Sequence, residues 1–520
     1  MGLPRRAALL GSATGLLCPW ILSVRAAEGA GITRDSINGY LPELDKLAAD
    51  ALRRTGVPGL SMAVVHQDQA VHLRGFGVRH AGKPELVDAD TVFQLASLSK
   101  PMASTVVAAL AGDELIAWDD PVIRHDPGFA MYDAWVTRQV TLRDMFSHRS
   151  GLPDHAGDAL EDIGYDRDEV LHRLRHVKPG SSFRSRYAYT NFGLTEAATA
   201  AARASGKSWE DLCAGRLYKP LGMTSTSSRL SDFLASSNRA SGHSHQDGAW
   251  TAKYIRNPDA QSPAGGVSSS ARDMAFWLRL QLGRGTVDGR EYIKAAALDE
   301  THRPHMVSAQ AESPGLDQPS FYGLGWGIDY HDGGRVRWSH SGAFNLGAAT
   351  CVSVLPGERV AIVVLTNTQP IGLPEAVCRS FLDLVVYGEV QRDWLAMFQP
   401  LMAKAMAPDY GTSVDYAAPP AQPFPPLPNA SYIGAYRSDL YGEIQIGSTQ
   451  SGLELKLGPR QTPYALRHFD RDFFTYQPVG ENAYGPSGVS FALGTDRKAA
   501  SLTIENLDIS DQGSFTRRVS

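Results

Sequence analysis

Three short stretches of the sequence carry residue types suited to acyl-transfer chemistry. In "FQLASLSKPMAS", residues 93 to 104, Ser97 precedes Lys100 by three positions. A serine hydroxyl is a weak nucleophile at neutral pH and needs a base within hydrogen-bond reach. Positions i and i+3 of a helix share a face, so the two side chains are neighbours if a helix starts near Ser97. That start turns free N–H groups and a positive dipole end toward the serine, a field that also favours the neutral lysine. Pro101 is compatible with a first helical turn. Lys100 is the one lysine with serine three residues before it, yet Ser-x-x-Lys alone is better explained by an ordinary surface pair.

The second stretch is "SRYAYTNFGLTEAA", in which Tyr189 and Asn191 form the chain's one Tyr-x-Asn. A tyrosine beside a lysine ammonium can be partly ionised and relay protons. The asparagine offers a donor and an acceptor to a substrate amide. The plain alternative is a packed loop tyrosine and an asparagine near a helix cap. The third stretch is "WSHSGAFNLG", with His340-Ser341-Gly342. His-x-Gly also begins at His80, His155 and His331. Of these, only His340 sits in a strand-like run followed by small residues. Gly342 would admit a close backbone approach, and the N–H of Ala343 could join that of Ser97 as an oxyanion hole. The unperturbed pKa of a histidine, about 6.5, lets its charge change in the working range. Nearby Lys100 favours the neutral form, which predicts activity falling as His340 titrates.

These residues need a scaffold. Residues 58–76, "PGLSMAVVHQDQAVHLRGF", predict two strands around a polar turn, and 97–112 carry apolar side chains at helical spacing. Residues 120–310 are mostly helical, and 335–366 return to strand character. Strands from both ends with helices between predict one sheet built from distant segments, an α+β arrangement. Residues 407–429 are proline-rich and aperiodic, which predicts a stiff extended linker. Beyond it, from 430 to 520, short alternating strands with glycine-bearing turns predict a small antiparallel barrel.

Composition narrows the function. Of 520 residues, 43% are apolar, enough for more than one domain. A formal net charge of −5 with mixed signs gives no sign of a nucleic-acid partner. Residues 1–26 pair Arg5 and Arg6 with an apolar stretch and a small-residue cleavage site, predicting an export signal and a periplasmic or secreted protein. The arginine pair hints at twin-arginine export. No later segment is long and apolar enough to span a bilayer. Cys18 falls in the signal, and Cys213, Cys351 and Cys378 show no metal-ligand spacing, so buried free thiols are expected. No metal or cofactor is expected.

Together, Ser97-x-x-Lys100, Tyr189-x-Asn191 and His340-x-Gly342, in that order, resemble the motifs of the serine β-lactamase and penicillin-binding-protein superfamily. The nearest branch comprises class C β-lactamases, DD-carboxypeptidases, esterases and D-aminopeptidases. "VPGLSMAVV", "LRDMFSHRSGLPD" and "SPAGGVSSSARDMAFWL" look familial too. The resemblance implies a β-lactamase/transpeptidase-like domain over 35–395, its antiparallel sheet flanked by helices and an all-helical subdomain, and a lipocalin-like domain over 430–520. It implies that Ser97 attacks the carbonyl and that Lys100 and Tyr189 share the proton traffic. It implies that Asn191 holds both substrate and Lys100 and that the His340-Ser341-Gly342 strand binds substrate, with the N–H groups of Ser97 and Ala343 as oxyanion donors. His340 stands where β-lactamases have a lysine. A histidine does not hold a penicillin carboxylate as a permanent charge does. This favours peptidase, amidase or esterase action on a small acyl or peptide substrate over β-lactamase or DD-carboxypeptidase action. Oligomeric state is left open.

The rivals are weaker. His172 and His176, and His302 and His305, lack the acidic residue and third ligand of a zinc hydrolase. No Gly-x-Ser-x-Gly elbow occurs. A non-catalytic penicillin-binding sensor would not need Ser97, Lys100, Tyr189 and Asn191 all intact.

Overall fold

The computed structural model describes residues 32–311, 318–331 and 334–518. The expected export signal, with Cys18, lies outside them.

The first strands follow from alternation. Helix α1, Arg34–Thr55, is opened by a Thr33/Ser36 capping box and closed by Gly56 at φ 67°. It leads into β1, Gly59–His66, and β2, Gln69–Gly77, the hairpin expected from 58–76. The remaining strands of this sheet come from the far side of the helical insertion: β3 Met306–Ala309, β4 Ser320–Tyr322, β5 Gly327–His331, β6 Arg335–Phe344, β7 Ala348–Leu355 and β8 Val360–Thr366. They form one eight-stranded antiparallel sheet in the order β2-β1-β8-β7-β6-β5-β4-β3. All residues of β1, β7 and β8 are buried, since helices cover both faces.

Alternation sorts the side chains. Leu60, Met62 and Val64 pack with α1 and with α6, Leu373–Tyr387. Ala63, Val65, Val352 and Val363 turn to the other face. There they meet α2, Ser99–Gly112, and α5, Ala271–Leu282, while α4, Asn191–Ala204, and the short α3, Asp158–Asp162, lie in the helical insertion. Helix α2 is buried at every position except Ala111, so it forms the axis around which the other helices pack.

The C-terminal strands are β9 Gly434–Ser438, β10 Gly442–Thr449, β11 Gly452–Leu457, β12 Thr462–Ala465, β13 Arg467–Asp470, β14 Phe473–Tyr476, β15 Ser487–Leu493, β16 Ala499–Ile504 and β17 Ser514–Arg517. Their order, β12-β11-β10-β9-β17-β16-β15-β14-β13, is a nine-stranded antiparallel sheet. Its two ends, β12 and β13, are separated in sequence only by Leu466, so the sheet is a nearly closed barrel. Alternate residues of β11, namely Leu453, Leu455 and Leu457, fill it with Tyr436, Phe474 and Phe515.

The barrel is tied to the helical insertion. The Tyr165 hydroxyl donates to the Tyr441 carbonyl at 3.0 Å, and Asp162 accepts the N–H groups of Glu481 and Asn482, each at 3.0 Å. The proline-rich stretch has no strand and no α-helix, the preceding helix ending at Ala405, but it is not a free spacer. Tyr410 donates to the Gly485 carbonyl at 3.2 Å, Tyr416 to Glu505 at 2.6 Å, and the Phe424 N–H to Asp470 at 2.7 Å. Its aromatic side chains and backbone anchor it to the barrel along its length.

Candidate active site

Ser97 sits on a tight local turn. Ala96, at φ 48°, lies in the left-handed region and directs the chain from Leu95 into a 3-10 turn, Ala96–Leu98, which runs on into α2. The Ser99 hydroxyl braces the turn by donating to the Ala96 carbonyl at 2.7 Å and accepting the Val267 N–H at 2.9 Å. Ser97 is therefore half-buried at the head of the central helix, and Lys100 lies one turn further, fully buried.

Lys100 Nζ has three oxygen neighbours: Ser97 Oγ at 2.9 Å, Asn191 Oδ1 at 2.7 Å and the Ala264 carbonyl at 3.1 Å. Burial lowers its pKa to about 7, against the opposing pull of the Asp158 charge. A neutral amine has two hydrogens and one lone pair. The two carbonyl oxygens can only accept, so they take the hydrogens and leave the lone pair facing the Ser97 hydroxyl. Tyr189 lies alongside, its ring centre 4.5 Å from Lys100 Nζ and its hydroxyl donating to Ser97 Oγ at 2.8 Å. Here the structure departs from expectation. Burial raises the Tyr189 pKa and outweighs the hydrogen bond to Ser97, so the phenol stays protonated instead of partly ionised. The arrangement has one base, Lys100, and one hydroxyl donor, Tyr189.

Asn191 departs too. It is buried, and while its oxygen accepts from Lys100, its Nδ2 donates to Asp158 Oδ2 at 2.8 Å. Both ends of the amide hold protein groups, so it serves the lysine before it could serve a substrate.

The third stretch lies on β6. Pairing with β5 ends at Ser339, whereas pairing with β7 continues to Phe344, so from His340 onward one edge of β6 is left without a strand neighbour. His340 and Gly342 share the face toward Ser97. Gly342 is required there: a Cβ would come closer than 3.0 Å to the Leu95 carbonyl oxygen and to Thr350 Oγ1, and within 3.1 Å of the Ser97 nitrogen. Ser341 points to the other face, as strand alternation dictates, toward Glu375 at the start of α6. Its side chain is therefore not part of the site, contrary to expectation. Ala343 follows on the free edge, beside the turn that holds Ser97.

His340 is buried, and both ring nitrogens are engaged. The Ser341 carbonyl, 2.7 Å from Nδ1, can only accept, so Nδ1 carries the hydrogen. The Tyr322 hydroxyl, 2.8 Å from Nε2, then donates to it. Burial, reinforced by Lys100, lowers the His340 pKa to about 3. The neutral form was expected, but not its extent: His340 does not titrate in the working range.

Several groups gave no signal in the sequence. Tyr322, Tyr187 and His148 build an aromatic wall, with the His148 ring 4.7 Å from Tyr189 and 4.9 Å from Tyr322. Ala264 lies within "SPAGGV", and His148 within "FSHRSG", stretches that looked familial without a stated role. His155, set aside among the His-x-Gly matches, stands 5.8 Å from the Tyr189 ring and pairs with Asp158 at 2.9 Å. His302, by contrast, stacks on Trp338 at 3.7 Å and contacts Trp326. Among the described residues, no group of three or more His, Cys, Asp or Glu could hold a metal ion. Cys213, Cys351 and Cys378 are free and buried.

A buried lysine base against a serine at the head of a central helix, beside a half-free strand, is a site for acyl transfer. Residues 44–386 match the family model described as beta-lactamase, and 418–517 match a domain of unknown function. The chain therefore belongs to the beta-lactamase family and is an enzyme of serine-hydrolase type. Over 495 residues, 89% of each chain, it is 26% identical to the unguisins hydrolase ungD' of Aspergillus campestris. It is 31% identical over 331 residues to penicillin-binding protein 4 of Amycolatopsis lactamdurans, covering 61% of this chain and 83% of that one. In fold it is similar to the octameric penicillin-binding protein homologue from Pyrococcus abyssi, at 17% identity and a TM-score of 0.57 over 92% of this chain and all of the other.

Proposed function

We propose that the chain is an exported acyl hydrolase that forms an acyl-enzyme on Ser97. As Ser97 Oγ bonds to the carbonyl carbon, its proton passes to Lys100 Nζ. The carbonyl oxygen becomes an oxyanion held by the N–H groups of Ser97 and Ala343. Collapse breaks the bond to the leaving group, which takes a proton from the lysine ammonium, with the Tyr189 hydroxyl as the neighbouring donor. Water then attacks the ester, Lys100 takes its proton, and Ser97 Oγ leaves as a hydroxyl. The observation that carries this reading is the 2.9 Å contact between Ser97 Oγ and a buried lysine whose other two partners are carbonyl oxygens, which only accept.

The substrate is an ester or peptide amide without a free carboxylate near the scissile bond. Support comes from the third motif: a neutral histidine with both nitrogens engaged offers no cation to a carboxylate. The similarity to a protein named an unguisins hydrolase, extending through the barrel, supports hydrolase action. Intact-mass analysis after treatment with a fluorophosphonate should show one adduct, on the Ser97 peptide. Labelling that persists in Ser97→Ala would overturn the assignment.

A further inference from the structure

Behind the lysine stands a carboxylate that the reaction above does not use. Asp158 opens the five-residue helix α3 and is buried. Its Oδ2 accepts the Asn191 Nδ2 hydrogen at 2.8 Å and faces His155 Nδ1 at 2.9 Å, while its Oδ1 is buried with no hydrogen-bond partner. A terminal amide can turn end for end at little cost unless its neighbours forbid it. Here the neighbours do forbid it. A carboxylate accepts only, so it must face the NH2 end, and the oxygen is then fixed toward Lys100 Nζ at 2.7 Å. Turned over, the amide would set NH2 against the lysine hydrogens and oxygen against oxygen.

Charge points the same way. When Ser97 gives up its proton, a buried amine becomes a buried ammonium, which is costly without a counter-charge. The titratable groups around Lys100 are Tyr189 at its side, His148 and His340 across the site, and Asp158 with His155 behind Asn191; Asp154 lies beyond His155. Tyr189, His148 and His340 are held neutral by burial. Asp158 is the carboxylate whose charge acts on the lysine, and it stands one amide away.

We propose that Asp158 is a positioning residue for the reaction at Ser97: it locks the Asn191 amide with its oxygen on Lys100 and is the counter-charge to the ammonium that forms there. His155, exposed at the rim, pairs with this carboxylate from the solvent side. The inference rests on the acyl-enzyme reading of the site.

The test compares wild type, Asp158→Asn and the exchanged pair Asp158→Asn with Asn191→Asp. Each is measured as kcat/KM against pH on a neutral ester, with Tm and Ser97 labelling recorded. Asp158→Asn keeps an acceptor for Asn191 but removes the charge. The acid limb should move down by about one pH unit and the plateau should fall about tenfold or more. The exchanged pair puts the carboxylate directly on Lys100, so the limb should move up instead. Opposite displacements at unchanged Tm are not produced by loosened packing. Limbs that stay in place in both variants, or a plateau within twofold of wild type for Asp158→Asn, would overturn the proposal. Absence of a Ser97 adduct in wild type would instead overturn the acyl-enzyme reading itself.

Discussion

Gly342→Ala is the sharpest single test of how the site is assembled. The added methyl would come closer than 3.0 Å to two oxygens, the Leu95 carbonyl and Thr350 Oγ1, where ordinary contacts need about 3.5 Å. Neither oxygen yields easily. The Thr350 hydroxyl donates to the Leu95 carbonyl at 2.7 Å, and the Leu98 N–H bonds the same carbonyl at 3.2 Å as part of the turn bearing Ser97. The strand must therefore move off the turn, or the turn must open. Overpacking of this kind costs about 1–3 kcal/mol of stability. The effect on rate should be larger than that on stability. Displacing β6 draws the Ala343 N–H away from the Ser97 N–H, and losing one oxyanion donor costs about 100- to 1000-fold in kcat. The assay is the rate of Ser97 phosphonylation by a fluorophosphonate and of its acylation by an activated ester, with Tm alongside. The expected variant is folded, with Tm a few degrees lower and acylation slowed at least 100-fold. A variant that acylates within about threefold of wild type would mean that this close approach does not build the oxyanion site.

Four further outcomes are expected. The kcat/KM of wild type on a neutral ester should fall with a slope of one below about pH 7, because protonating Lys100 removes the base; a limb near 10, or none, would put the base elsewhere. Lys100→Ala removes the positioned general base, so it should lose about 100- to 10,000-fold. Tyr322→Phe leaves His340 Nε2 buried without its donor, which should cost about 1–3 kcal/mol by chemical denaturation; an unchanged midpoint would show that the ring does not depend on that bond. At the barrel seam, Glu161 and Glu481 share one guanidinium, Arg256, and burial raises Glu161 to about 7 and Glu481 to about 8. The folded state therefore holds protons that the unfolded chain releases near 4.5, so this seam favours folding at low pH and loses that contribution as pH rises toward 8. Glu481→Gln should flatten the fall of Tm between pH 5.5 and 8, and an unaltered slope would refute the assignment.

What the sequence revealed was what is local. Ser97 and Lys100 stand three apart on one helix, so their contact needs only that helix to form. The hairpin of β1 and β2 and the sheet strands after residue 335 announce themselves by alternation. What stayed hidden depends on segments brought together by packing. The lysine's partners lie 91 and 164 positions away, and Asp158 is 33 from the asparagine it holds. Nothing in "DHAGDALED" distinguishes Asp158 from its acidic neighbours. What the motifs did not show was which of their side chains are already occupied. Ser341 turns away by strand alternation, and Asn191 and His340 spend their hydrogen-bonding groups inside the protein. The proline-rich stretch was legible as irregular backbone, but Tyr410, Tyr416 and Phe424 within it were the sign that it packs.

Helix α3 deserves its place in the mechanism because it connects two things that composition separates. Asp158 at its start holds the amide against the lysine. Glu161 and Asp162 at its end hold Arg256 and the barrel loop at Glu481 and Asn482. That loop also grips the chain just past β6, where Asn345 donates its N–H to Glu481 and its side chain to Tyr484 at 2.6 Å. So the base side of the site and the strand carrying Ala343 both lean on one stretch of the barrel. A rigid five-residue helix cannot shift at one end alone. Loosening the seam should therefore change the lysine's surroundings as well as the barrel's attachment. This predicts that removing the chain beyond residue 410 lowers the rate of Ser97 acylation and moves its acid limb, even where the remaining domain stays folded. A folded, truncated protein with the wild-type limb and acylation rate would show that the barrel is carried along without supporting the site.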